Sequence, residues 1–147
     1  MKKPAMRRLL LTSCLLLTPL AVLADTVAGI DWQLSAIDGQ AVEASVLASL
    51  RIEADGTVSG KAPCNSFASR NKGTLPMVRL GAIDATRMAC GTMAQEGAFF
   101  DTLAVVDLAA LGGDQSLILT GPEGRSLKFV GNRTLDATVC TTCPRTE

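Results

Sequence analysis

This sequence predicts a mainly β fold of the α+β class, a small antiparallel sheet curled towards a barrel with one helix packed against it. Three observations lead there. Short apolar stretches alternate with polar residues at a period of two, the mark of half-buried strands. Glycine-bearing turn signals separate those stretches. Helical spacing appears in one segment only, late in the chain.

Ile30, Trp32 and Leu34 alternate with Asp31, Gln33 and Ser35 and define the first strand, which Asp38-Gly39 turns. Residues 50–53 and 57–60 flank Ala54-Asp55-Gly56, a hairpin signal because glycine accepts the positive φ of a tight turn. Residues 60–62 lead into Cys64-Asn65, Asn71-Lys72-Gly73 makes another turn, and 75–83 reads as a strand with Pro76 near its start. Thr92 with Gln95 three residues on fits a capping box. Ala94, Ala98, Phe99 and Leu103 then supply an apolar stripe, so a helix is expected over 93–103. Three strands, 105–111, 116–120 and 125–130, close the pattern, joined by Gly112-Gly113-Asp114 and Gly121-Pro122-Glu123-Gly124. Trp32 and the four phenylalanines, Phe67, Phe99, Phe100 and Phe129, are natural core residues.

The first residues read as an export signal. Lys2, Lys3, Arg7 and Arg8 precede an apolar stretch, and Val22-Leu23-Ala24 fits a signal-peptidase site that cuts between Ala24 and Asp25. The stretch is shorter than the roughly 20 residues a bilayer span requires. The expected organisation is a signal peptide over 1–24, one domain over 25–133 and a tail over 134–147, in a periplasmic or secreted monomer that does not span the membrane. Leu11-Thr12-Ser13-Cys14 formally fits a lipobox, but the apolar run continues past Cys14, which makes lipid anchoring the minority alternative. The leader holds four basic and no acidic residues, leaving 10 basic against 14 acidic beyond it, a net charge of −4. That balance offers no basic stripe for nucleic acid.

Composition also limits the chemistry. The sequence has no histidine and no tyrosine, which removes Cys-His and Ser-His-Asp catalysis and the usual histidine-bearing metal sites. Asp84, Glu96 and Asp101 stand singly, as solvated surface carboxylates do. No cofactor, metal or catalytic residue is expected, and Gly112-Gly113 lacks the strand-to-helix context of a phosphate cradle. Beyond the leader lie Cys64, Cys90, Cys140 and Cys143, an even set that allows three disulfide connectivities in an oxidising compartment.

Two segments carry a resemblance: Cys64-Asn65 within 60–70, and Thr86-Arg87-Met88 leading to Cys90. With Trp32-x-Leu34-x-x-Ile37-x-Gly39, Glu96-x-x-Phe99-Phe100-x-x-Leu103, Gly113-Asp114-x-x-Leu117-x-Leu119 and Leu127-x-Phe129, the chain resembles the META-domain family, which includes HslJ-like proteins of the bacterial envelope. The resemblance covers about residues 30–130 and implies the same curled sheet with one helix. It implies no established catalysis, and a connection with envelope stress and tolerance of some antibiotics. Because Cys64 and Cys90 both lie in the resembling segments, it pairs them, leaving Cys140 with Cys143 on the tail. Asn65 then reads as a turn stabiliser or a ligand contact. Arg87 and Glu96 read as a salt bridge tying the Cys90 loop to the helix, or as ligand contacts.

The expected function is a non-enzymatic envelope module that binds another protein or a small ligand. A secreted protease inhibitor is the alternative. A thiol oxidoreductase using Cys140-Thr141-Thr142-Cys143 ranks third, because no helix follows that motif to lower a thiol pKa. Zinc is disfavoured by the spacing of Cys64 and Cys90.

Overall fold

The computed structural model describes residues 27–43 and 45–131. The leader, Cys14, the Ala24–Asp25 junction and the Cys140–Cys143 pair lie outside the described residues.

Nine strands and one α-helix follow in the order β1 (Asp31–Ile37), β2 (Gln40–Ala41), β3 (Ser49–Ile52), β4 (Thr57–Lys61), β5 (Ser66–Arg70), β6 (Asp84–Ala85), α1 (Met93–Leu103), β7 (Leu108–Leu111), β8 (Leu117–Thr120) and β9 (Ser126–Gly131). All pair antiparallel in one sheet, ordered β6-β5-β4-β3-β1-β9-β8-β7, with β2 folded back on β1. The predicted class holds: mainly β, with one α-helix packed on the sheet among the described residues.

The period-two pattern works as read. Trp32 faces Leu50, Leu34 faces Phe129, Leu117 faces Phe129 and Leu119 faces Leu127 across neighbouring strands. All are buried, and α1 lays Phe99 and Leu103 over them. Phe67, Phe99 and Phe100 meet with ring centroids 5.4–5.7 Å apart, at the tilted and edge-on angles that aromatic quadrupoles favour. The Trp32 indole N–H donates to Val27 O at 3.0 Å, so its one polar atom is satisfied inside. At Gly60 a Cβ would sit 2.0 Å from Ser49 O, so only glycine lets β4 cross there.

Beyond the two-residue β2 and β6, which were not expected, and β7, which begins at Leu108 and not at 105, two longer segments depart from the expectation. Ser66–Arg70 is a strand that alternation could not reveal, because only Phe67 of its five residues is buried. Residues 75–83 are not one strand. Their backbone first meets β7, with Ala109 N–H donating to Pro76 O and Val78 N–H to Asp107 O, each at 2.8 Å. It then changes sides, with Lys72 N–H donating to Arg79 O and Gly81 N–H to Arg70 O. A segment that hands over from one neighbour to another within a few residues cannot keep a single ladder. The named strands therefore leave the sheet unclosed, and this stretch bridges the gap through isolated pairings at Asn71–Leu80 and Met77–Leu108.

The helix occupies the expected span, but Thr92 makes no side-chain cap. At its far end, Arg125 pairs with Asp38 at 3.2 Å and donates to the buried Thr102 hydroxyl, pinning α1 to the turn after β1. No helix among the described residues is long and apolar enough to cross a membrane.

Candidate functional site

The polar centre of the molecule forms where the chain between β4 and β5 passes under the first turn of α1. Ala62 N–H donates to Asn65 O, closing a turn that directs the Cys64 and Asn65 amides towards the helix. Glu96 stands in the first turn on the buried face it shares with Phe99, Thr102 and Leu103. Its carboxylate accepts from Cys64 N–H at 2.9 Å and Asn65 N–H at 2.7 Å on one oxygen, and from Asn65 Nδ2 at 2.6 Å on the other.

The Asn65 side chain is used on both ends. Nδ2 also donates to Met88 O at 3.2 Å, while Oδ1 accepts from Met88 N–H at 2.7 Å and the Thr86 hydroxyl at 2.8 Å. The amide thus holds both backbone groups of Met88, in a loop of residues 86–91 that lies in no strand or helix. The Cys64–Cys90 disulfide, with Cα atoms 5.9 Å apart, fastens the same loop covalently. Thr92 spends its hydroxyl on Pro63 O at 2.9 Å, which explains the missing cap.

Burial alone would push the Glu96 pKa up. The Asn65 side chain, the Asn65 amide and the Cys64 amide outweigh that and hold it below the ordinary glutamate value. Its place in the first helical turn adds the favourable end of the helix dipole. Glu96 and Asn65 are only 5% and 2% exposed, so neither can reach a ligand without the cluster opening. A lone carboxylate with a lowered pKa, surrounded by donors already in use, is a poor general base. It is suited to holding backbone.

The resembling positions therefore divide. Asn65, Glu96, Cys64 and Cys90 converge on one junction. Arg87 does not join them: the expected Arg87–Glu96 salt bridge is absent, because neutral donors fill the Glu96 carboxylate from within. The Arg87 side chain is exposed and makes no ion pair among the described residues. Asp84 and Asp101 stay apart on the surface, as expected, but Glu96, expected to be solvated with them, is buried because its carboxylate finds three donors inside. The sequence reading did not single out the Thr86 hydroxyl, which links Asn65 to the Ser66 N–H. Its place in the Thr-Arg-Met-x-Cys run was the only signal available.

The chain belongs to the META-domain family, whose model matches residues 25–134. Its fold is similar to that of a protein from Burkholderia xenovorans solved by NMR, at 22% identity and a TM-score of 0.61, covering 90% of this chain and 98% of that one. A second NMR structure matches at 17% identity and a TM-score of 0.58, covering 72% of this chain and 92% of the other. At these identities the likeness concerns the fold. No curated protein matches the chain.

Proposed function

We propose that this chain is a non-enzymatic META-domain binding module, exported to the bacterial cell envelope, that presents loop 86–91 to a protein or small-ligand partner. The observation that carries this reading is a loop outside regular structure, fixed from within by Asn65 and by a disulfide, whose Arg87 and Met88 side chains point to solvent. A loop held in one conformation before contact loses less entropy on binding. Arg87 supplies a planar donor set for an acidic group, and Met88, 56% exposed, supplies an adaptable apolar contact beside it. The basic and apolar leader supports export, and the family resemblance supports a role in envelope stress or antibiotic tolerance.

A photo-crosslinking residue at position 88 should give a discrete adduct in intact cells. The same probe at Leu111, exposed on β7, should give none. Equal labelling from both positions would contradict the reading. Protein recovered from the envelope should begin at Asp25, and an acylated form beginning at Cys14 would overturn the soluble localisation.

A further inference from the structure

Loop 86–91 continues directly from β6, and β6 is the last strand of the sheet. Its partner on one side is β5, with Ala85 opposite Phe67 and Asp84 opposite Ala68. Thr86 N–H donates to Ser66 O, so residues 86 and 84 turn their hydrogen-bonding groups towards β5. By the alternation of a strand, Ala85 and Ile83 aim theirs outwards, where no strand among the described residues follows. Their side chains share one face, and there they line a groove of about 400 Å³ with Gly81, Phe100, Asp101 and Ala104. Asp84 faces the opposite way, beside Ser66 and Ala68.

We propose that this edge accepts an extended peptide segment of a partner protein as an added strand, with apolar and basic residues alternating along it. The inference rests on reading this face as the interaction surface and names the form its partner takes. Free N–H and C=O groups of Ala85 and Ile83 supply the ladder, and alternate side chains of the incoming strand supply selectivity. Those directed to the groove meet Ile83, Ala85, Phe100 and Ala104. Those directed to the other face meet Asp84, and Asp101 stands at the groove's rim. Neither carboxylate has an ion-pair partner among the described residues. Lys72 reaches Gly81 at one end of the groove, and the exposed Arg87 follows Ala85 beyond the other. On the face opposite the groove, the charged side chain of this edge is Asp84, beside Ser66 and Ala68, which favours lysine or arginine between the apolar residues.

The test uses the purified protein, 15N-labelled, with a capped pentapeptide of alternating valine and lysine, and the same peptide with glutamate in place of lysine. The lysine peptide should slow amide exchange at Ala85 and Ile83 at least tenfold, and the glutamate peptide should not. Asp84→Asn should weaken the lysine peptide at least threefold. Ala85→Pro, which removes an amide not used by β5, should abolish protection while circular dichroism stays native. Shifts confined to 86–91, with exchange at Ala85 unchanged, would overturn strand addition while leaving the loop reading intact. Equal binding of the two peptides, or no shift with either, would also overturn it. Crosslinking from position 88 tests the loop independently, so the two failures are distinguishable.

Discussion

In the sheet interior, Leu117, Leu119, Leu127 and Phe129 gain by leaving water, and each packs on several neighbours without needing a particular one. At the junction of β5, α1 and loop 86–91, one carboxylate takes three donors and one amide takes both backbone groups of a single residue. Dispersion and hydrophobic burial are non-directional, so the first region tolerates changes of shape that preserve volume. Hydrogen bonds in a buried site are directional, and a lost partner strands a desolvated group. The comparison teaches that the core sets the sheet, whereas the junction sets the position of one exposed loop.

Asn65→Asp breaks the comparison hardest. It would place a second carboxylate oxygen where Nδ2 lies 2.6 Å from Glu96, in a site where no cation among the described residues forms an ion pair. An uncompensated buried charge costs about 3–5 kcal/mol, so urea unfolding at pH 7 should show a loss of about 4 kcal/mol. The pH dependence should invert relative to the wild type. Glu96 in the wild type has a lowered pKa, so its contribution is complete above the ordinary value of about 4.3 and is lost as pH falls through the lower folded value. In Asn65→Asp the carboxyl pair raises one pKa, so acid should restore stability instead. A variant that weakens in acid as the wild type does would sink this account.

Replacing Cys64 and Cys90 together by serine removes a crosslink between residues 26 apart. The chain-entropy estimate is about 3.5 kcal/mol, to be read by denaturant unfolding. The loop should loosen more than the sheet, with amide exchange rising first at Met88. Uniform acceleration across β8 and β9 would show that the bridge supports the core instead.

The most direct contrast pairs two near-isosteric changes. Glu96→Gln must set its amide against Asn65 Nδ2 or against two backbone N–H groups, which leaves donor facing donor. It should cost about 2 kcal/mol. Leu119→Met conserves volume and should cost about 1 kcal/mol or less. Equal losses would erase the distinction between the two regions.

The smallest effect belongs to Arg87→Ala. Because Arg87 is exposed and unpaired among the described residues, thermal unfolding should change by less than about 0.5 kcal/mol. If this variant instead costs as much as Glu96→Gln, the side chain supports the fold and is not free for a partner.

Legibility in the sequence follows the same division. Period-two alternation located β1, and glycine-bearing turns located the β3–β4 hairpin and the β8–β9 pair, whose strands each show one apolar face to the core. Helical spacing located α1. Alternation was silent for β5, which buries one side chain, and misleading for 75–83, whose neighbours change partway along. At the junction, Asn65 and Glu96 were singled out from the family resemblance, but opposite charge suggested the wrong partner for Glu96. The true donors are two backbone amides and an amide side chain 31 residues away, and no local spacing encodes those. The missing cap has a similar origin, since Thr92 turns to a carbonyl 29 residues earlier in the chain.

The central claim is that Glu96 is buried, ionised and held by neutral donors, and that this fixes loop 86–91. Following the Glu96 side-chain carboxyl carbon by NMR as pH is lowered tests it most directly. The account predicts a titration midpoint below the ordinary glutamate value of about 4.3, with the Met88 amide signal moving over the same pH range. A midpoint at or above that value, or a Met88 amide indifferent to the protonation of Glu96, would contradict it.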